Sequence, residues 1–271
     1  MKDAPPKPVR FGDLGLRLAS GLALAAVALI DVWMGGFWVA ALLSLTLVLM
    51  LWELKRMTGG GASFRDPCFL GLVVPAAAAV FATLIFGMAA GMICLLIGCA
   101  ITAVCAGRRR GWLIGGLLYM GIAVCAMIPL RHLDPHGLLF VLWLIIVVVA
   151  TDVGAYFVGR IVGGPRLWPA VSPGKTRSGA LGGLAFAFAL GLPMGLAAGQ
   201  GFWTAAFLSI GVSIASQCGD LLESAVKRRF GVKDASHIIP GHGGVMDRLD
   251  GVLGGVWFVA IYGLLGVGTL G

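Results

Sequence analysis

The sequence is poor in charged residues. Only 12% of its 271 residues are Asp, Glu, Lys or Arg, whereas soluble globular domains carry roughly 25%. Hydrophobic residues make up 59% of the chain, and it also contains 43 glycines. This composition excludes disorder, a coiled coil and a water-soluble α/β enzyme as the main fold. It predicts an all-α polytopic membrane protein.

Closely spaced cysteine pairs are also missing. The six cysteines show no CxxC spacing and lie almost entirely inside apolar runs, which favours small packing residues over a zinc site or a disulfide framework. The formal net charge of +8 does not indicate nucleic-acid binding, because the cations lie between apolar runs and not on one soluble face. We therefore expect no nucleic-acid partner.

Nine apolar runs are long enough to cross a membrane, since a hydrocarbon layer of about 30 Å needs roughly 20 residues per helix. They cover residues 16–34, 37–54, 69–87, 88–106, 112–130, 138–157, 179–199, 202–222 and 252–270. The first run is longer than a signal-peptide core and is interpreted as a retained helix. The sequence thus predicts a short cytosolic tail, residues 1–13, and a single transmembrane domain, residues 14–271.

The loop charges predict the orientation of these spans. With nine crossings, every Lys and Arg except Arg131 falls on the same side. The positive-inside rule makes that side cytosolic, so we expect a cytosolic N-terminus and a C-terminus outside. The two longest cytosolic segments, 159–178 and 227–251, are where chemistry is expected.

Asp31, Asp152 and Asp220 lie inside apolar runs, where each carboxylate costs about 2.5 to 3.5 kcal/mol by insertion scales. Asp31 lies near the outer end of the first run, where water can reach it. Asp152 and Asp220 lie near the cytosolic ends of the sixth and eighth runs, each beside one of the long segments. That placement predicts a shared cavity for Asp152 and Asp220.

The eighth run continues into a polar stripe. Asp220, Glu223, Ser224 and Lys227 have the spacing of one helix face. A solvated amphipathic helix end, with Glu223 and Lys227 in an ordinary ion pair, is the alternative interpretation.

Residues 227–250 combine the parts of a phosphate site. Glycines let backbone N–H groups wrap an anion, Lys and Arg neutralise it, and paired acids hold a divalent cation. Asp247 and Asp250 are three residues apart and can face one direction. His242 is interpreted as a phosphate contact in preference to a metal ligand.

The other segment contains Gly174-Lys175-Thr176, which invites comparison with a P-loop. That motif needs a glycine five residues before Gly174, where this chain has Pro169. We reject a P-loop and expect a second phosphate contact, with a merely basic loop as the alternative.

Residues 224–250 read Ser-x-Val-Lys-Arg, four residues, Lys-Asp, then Pro-x-His-Gly-Gly-x-x-Asp-Arg-x-Asp. This pattern resembles the signature of the phosphatidate cytidylyltransferases. The segments 216–223, 152–160 and 172–176 are similar to other motifs of that family, so the resemblance covers the half from about residue 144 to 271. One position departs from the family pattern, because Ser178 stands where an acidic residue is common.

The resemblance implies transfer of a cytidylyl group from CTP to phosphatidic acid, with Mg²⁺, at the cytosolic face of a bacterial-type inner membrane. It implies that Asp220 and Asp247 hold the metal, with Glu223, Asp250 and Asp152 as further candidates and a second ion left open. The implied catalytic set is Asp220, Asp247, Lys227, Arg248 and Asp250. The implied substrate contacts are Ser172, Lys175, Thr176, Ser224, Arg228, Lys233, His242, Gly243 and Gly244.

Two other functions stay open at this point. A CTP-dependent kinase of a polyprenol-type lipid alcohol would use many of the same parts but would transfer the γ-phosphoryl group. A cation-coupled transporter could carry intramembrane Asp152 and Asp220, but it would not explain the Gly, His, Asp and Arg residues of segment 227–250. A homodimer is also left open.

Overall fold

The computed structural model describes residues 11–59, 62–239 and 243–265. The predicted tail therefore lies mostly outside the described residues. Within them the chain forms nine α-helices: α1 Phe11–Met34, α2 Gly36–Met57, α3 Pro67–Phe86, α4 Met88–Cys105, α5 Arg110–Arg131, α6 Gly137–Ile161, α7 Arg177–Ala197, α8 Phe202–Arg229 and α9 Met246–Leu264. A short 3-10 turn, Gly107–Arg109, precedes α5.

Seven of these helices, α2 to α8, are long and apolar enough to cross a membrane by length and composition. Helix α1 adds a shorter apolar stretch, Gly21–Met34. Helices satisfy all backbone hydrogen bonds within one segment, which a hydrocarbon layer requires. The predicted class, a polytopic membrane protein built from α-helices, is confirmed.

One small element departs from the all-α prediction. Strands β1, Arg166–Trp168, and β2, Ser172–Thr176, form an antiparallel pair between α6 and α7. The pairing joins Arg166 to Thr176 and Trp168 to Ser172. The segment lies beyond the apolar run of α6, so hydropathy gave no indication of its backbone structure.

Two helices extend past their apolar runs at the charged end. Helix α8 continues past its apolar run, which ends near residue 222, to Arg229, and α9 begins at Met246, before its apolar run starts at residue 252. Hydropathy marks apolar side chains, whereas a helix continues as long as its backbone hydrogen bonds do. As a result, Lys227 and Asp247 both lie on helices.

Contacts between helix ends define two opposite faces of the bundle. On one face Lys55 at the end of α2 pairs with Asp66, which caps α3 by accepting from the Cys68 N–H at 2.9 Å. The ammonium of Lys55 donates to this carboxyl and holds the pKa of Asp66 below its ordinary value. On the other face Arg131 Nε donates to the carbonyl oxygen of Val32 at 2.6 Å, so the one basic residue assigned to that side binds the end of α1.

The core lies between the helices and is filled by large side chains. Trp143, Phe140, Phe69 and Leu117 are fully or almost fully buried. Trp143 on α6 also donates its indole N–H to the carbonyl oxygen of Gly191 on α7 at 3.0 Å. This core fixes α6 and α7 against each other, and both helices lead to the hairpin.

Candidate active site

The two long segments that the sequence singles out meet at the end of α8. Lys175 on β2 forms an ion pair with Asp220 on α8. Nearer the end of α8, Arg228 Nε donates to the carbonyl oxygen of Val171, in the turn of the hairpin, at 3.4 Å. The hairpin therefore lies against α8 at the same face of the bundle as the start of α9.

Local hydrogen bonds place Lys175 and Thr176. Thr176 is the N-cap of α7 and accepts the N–H of Gly179 at 3.0 Å. Ser178 donates to the carbonyl oxygen of Gly163 and lies 3.1 Å from the Thr176 hydroxyl. Ser178, which departs from the family pattern, thus ties the start of α7 to the segment that follows α6.

Glycines allow α6 and α7 to approach closely beside the hairpin. A Cβ added at Gly159 would lie 3.3 Å from the Cα of Gly179, and one at Gly183 would lie 2.8 Å from the carbonyl oxygen of Thr151. Such small residues are typical of tight helix contacts in membranes. They leave room between α6, α7, α8 and the hairpin for one polar cavity.

This polar cavity has a volume of about 490 Å³. Its charged and polar lining consists of Asp152, Tyr156, Arg160, Arg166, Lys175, Thr176, Gln217 and Asp220. The side chains of Lys175 and Asp220 are 29% and 30% exposed. The structure therefore brings Asp152 and Asp220 into one cavity, together with Lys175 and Thr176 from the second segment.

A second, more buried charge cluster lies further along α8. Lys227 Nζ is 2.6 Å from Asp247 Oδ1 and 3.3 Å from Glu223 Oε1. Neither carboxylate oxygen of Glu223 has a hydrogen-bond partner among the described residues. Ser224, on the same face, donates to Asp220 Oδ1 at 3.3 Å and links this cluster to the polar cavity. The predicted stripe of α8 thus contacts both the hairpin and α9: Glu223 and Lys227 are largely buried, whereas Asp220 is partly exposed.

Asp247 also organises the connection between α8 and α9. Its Oδ2 accepts the N–H of Gly244 at 2.8 Å and the N–H of Ala235 at 2.9 Å. Gly243 has a φ of +84°, a conformation that favours glycine. The carboxylate therefore fastens both ends of this connection.

Close packing of α8 on α9 brings the two acidic segments together. A Cβ added at Gly219 would lie 3.2 Å from the Cα of Gly254. Asp250 and Glu223 line a second, mostly apolar cavity of about 330 Å³ between α2, α5, α8 and α9, whereas Asp220 lines the polar cavity. The predicted acids are thus divided between two adjoining sites.

The remaining predicted residues occupy less central positions. Ser172 begins β2, and Lys233 and Arg248 are exposed. Gly244 is buried, and His242 lies outside the described residues.

Two acids that line the polar cavity could bind a cation. Asp152 and Asp220 offer carboxylate oxygens, the donors that Mg²⁺ prefers, and Mg²⁺ usually binds one or two carboxylates and completes its shell with water and phosphate. In the described ranges no three His, Cys, Asp or Glu side chains form a group that could hold a metal by themselves. These two carboxylates fit a Mg²⁺ ion that completes its coordination shell with water or phosphate oxygens.

Sequence reasoning missed Glu53 on α2. Its carboxylate is fully buried and accepts hydrogen bonds from the N–H groups of Val245 and Met246, both at 2.8 Å. The signal was present, because Glu53 is an acid inside the apolar run 37–54 and such acids need an explanation. The first half of the chain therefore contributes a charged group beside the site.

Comparison with known proteins matches the chain to one family. A family model described as "Cytidylyltransferase family" matches residues 15–265, which include all nine helices except residues 11–14 at the start of α1. Proteins named phosphatidate cytidylyltransferase are similar to the chain: 45% identical over 173 residues in Brucella suis, 39% over 145 in Bacillus subtilis and 44% over 140 in Helicobacter pylori. These matches cover 63%, 53% and 51% of this chain and 64%, 54% and 51% of the relatives. The chain thus matches less than two thirds of the length of these relatives.

Proposed function

The chain belongs to the cytidylyltransferase family, and from this premise we propose that it transfers the cytidylyl group of CTP to phosphatidic acid. The products are CDP-diacylglycerol, a precursor of phospholipids, and pyrophosphate. The names of the relatives support this choice of substrates. The observation that carries the proposal is the polar cavity, in which acids and cations from two distant segments meet at the basic face of a membrane bundle.

The positive charges that line the polar cavity complement a nucleoside triphosphate. Lys175, Arg160 and Arg166 line it together with the hydroxyl of Thr176. Cations and hydroxyl donors of this kind bind phosphate oxygens through charge-assisted hydrogen bonds. We assign Lys175 and Thr176 to the triphosphate, with Ser172, Ser224, Arg228, Lys233, His242, Gly243 and Gly244 as the further contacts indicated by the sequence.

The reaction requires no covalent intermediate with the protein. A phosphate oxygen of phosphatidic acid attacks the α-phosphorus of CTP, the bond from that phosphorus to the bridging oxygen of pyrophosphate breaks, and a new phosphoanhydride forms. Such transfers depend mainly on positioning and on neutralising the charge of the reactants. Lys175 in the polar cavity and Lys227 and Arg248 beside it are assigned this neutralising role.

Magnesium is the proposed cofactor, with Asp220 and Asp247 as its first ligands and Asp152, Glu223 and Asp250 as further candidates. When bound, Mg²⁺ would align the phosphates and stabilise the charge of the departing pyrophosphate. Asp220 and Asp152 both line the polar cavity, where the Asp220 carboxylate is partly accessible and Asp152 is exposed.

The membrane topology is part of the proposal. Nine spans, with the N-terminus in the cytosol and the C-terminus outside, would place every Lys and Arg except Arg131 on the cytosolic side of a bacterial inner membrane. CTP would then reach the polar cavity from the cytosol and phosphatidic acid from the inner leaflet. The homodimer stays a prediction.

The test uses the full chain purified in detergent, with phosphatidic acid, Mg²⁺ and CTP labelled in either the α or the γ phosphate. We expect α-label in a lipid product only when phosphatidic acid and Mg²⁺ are present, and γ-label only in pyrophosphate. Lipid that carries γ-label would overturn the proposal in favour of a CTP-dependent kinase. No turnover of CTP would favour a transporter.

A further inference from the structure

The strongest unassigned feature is the buried carboxylate of Glu53, near the end of α2. It is 0% exposed, and among the described residues it accepts from one hydroxyl in the α8–α9 connection and from two backbone N–H groups at the start of α9. Ser236 Oγ donates to Oε1 at 2.5 Å, Val245 N–H to Oε1 at 2.8 Å, and Met246 N–H to Oε2 at 2.8 Å.

The N-terminus of α9 explains why a buried carboxylate is stable there. The first N–H groups of a helix have no partner within the helix, and the helix dipole places partial positive charge at this end. Val245, the N-cap of α9, makes no side-chain capping bond, because valine carries no acceptor. Glu53 supplies the missing cap from a helix almost 200 residues earlier in the chain.

Gly244 lets the cap approach. A Cβ added at Gly244 would lie 2.6 Å from Glu53 Oε1 and 2.9 Å from Oε2, so any larger residue would push the carboxylate away. Gly243 is required for its positive φ, whereas Gly244 is required for this contact. The two adjacent positions thus require glycine for different physical reasons.

Glu53 and Asp247 bind the same connection at adjacent residues. Asp247 accepts the N–H groups of Ala235 and Gly244, while Glu53 accepts from the next residue in each case, the Ser236 hydroxyl and the Val245 N–H. The two carboxylates together hold the ends of the α8–α9 connection side by side. A displacement of Glu53 would therefore move the backbone donors that orient Asp247.

We propose that Glu53 is a positioning residue for cytidylyl transfer, which acts by fixing the first turn of α9 and hence Asp247. This inference rests on the proposed function. Outer partners that orient metal-binding or catalytic groups typically change affinity or activity about 10- to 100-fold when they are removed. Glu53 occupies this position relative to Asp247.

The experiment compares Glu53→Gln with the wild type in the α-label assay and in hydrogen exchange followed by mass spectrometry. Glutamine has nearly the same shape but keeps only one acceptor oxygen and turns an amide donor toward backbone N–H groups. We expect kcat/KM for CTP to fall about 10- to 100-fold. We also expect faster exchange at residues 235–247, with exchange in the other helices unchanged.

Two further variants provide controls. Ser236→Ala removes one of the three donors and should give a smaller change of the same kind; it also serves as the test if Glu53→Gln does not fold. Ser44→Ala removes another buried hydrogen bond of α2, from Ser44 to the carbonyl oxygen of Ala77 at 3.0 Å, and should leave kcat/KM and exchange at 235–247 unchanged.

Two results would overturn the positioning role: wild-type kcat/KM in a folded Glu53→Gln protein, or faster exchange in every helix, which would indicate a general loss of stability. A wild type that forms no CDP-lipid refutes the proposed function instead. In that case the exchange comparison still decides whether Glu53 holds the connection.

Discussion

Lys227 supplies the cation of the buried cluster between α8 and α9, so its removal should be costly. The side chains of Lys227, Glu223 and Asp247 are only 11%, 7% and 8% exposed. Removing one partner of a buried ion pair costs about 3 to 5 kcal/mol, because the other charge is left buried without compensation. Asp247 would lose its 2.6 Å pair with Lys227 but keep its two backbone N–H bonds, whereas Glu223 would lose its neighbouring cation. We expect Lys227→Met to lower the free energy of unfolding by about 3 to 5 kcal/mol.

Reversible denaturation in mixed micelles measures this loss. Lys227→Met with Glu223→Gln should recover part of it, because the second change removes the acid left without a cation while Asp247 keeps its backbone donors. Lys227→Arg, which keeps the cation, is the matched control and should stay closer to the wild type. A single Lys227→Met variant within about 0.5 kcal/mol of the wild type, the usual range for surface substitutions, would refute the account of this cluster.

Three further predictions address the polar cavity, the helix contact and the edge of the bundle. Asp220→Asn should lower the rate of α-label transfer to lipid at least about 100-fold. It should lower the free energy of unfolding by less than about 1 kcal/mol, because the ion pair of Asp220 is partly exposed. Near-normal transfer would contradict the proposed role of Asp220 in the reaction. Gly219→Ala should lower the free energy of unfolding by about 1 to 3 kcal/mol through overpacking, because the added Cβ would lie 3.2 Å from the Cα of Gly254 on α9. Gly115→Ala, where the added Cβ would have no atom within 4 Å, is the control and should not lower it. Equal stability of the two variants would contradict this helix contact. Lys55 lowers the pKa of Asp66 from its ordinary value of 3.8. The stability that this pair contributes should therefore be complete above that value and lost as the pH falls through the lowered pKa. The Asp66→Asn variant can still cap α3 but should lack this pH dependence, so parallel unfolding profiles of variant and wild type in acid would contradict the prediction.

Much of the architecture could be predicted because each step depended on residues close in sequence. Apolar runs predicted the helices, and Gly87, with a φ of +86°, does separate α3 from α4. The spacing of Asp220, Ser224 and Lys227 predicted one face of α8, and these side chains do point toward the hairpin and α9. Helix periodicity alone accounts for that success.

The rest depends on how distant segments pack. Nothing local pairs Glu53 with Val245, and averaging over an apolar run conceals one acid. Gly244 was assigned to phosphate binding, and the structure adds a second reason for glycine there, the approach of Glu53. The division of Asp220 and Asp250 between two cavities also follows from the crossing of α8 and α9, which spacing along the sequence does not define.

The central claim is that the polar cavity binds the nucleotide whose cytidylyl group is transferred. A structure of the full chain in lipid nanodiscs with Mg²⁺ and a non-hydrolysable CTP analogue tests it most directly. The account predicts density for the triphosphate against Lys175 and Thr176, with the cation beside Asp220. Nucleotide density on the opposite face of the bundle, or away from Asp220, would contradict it.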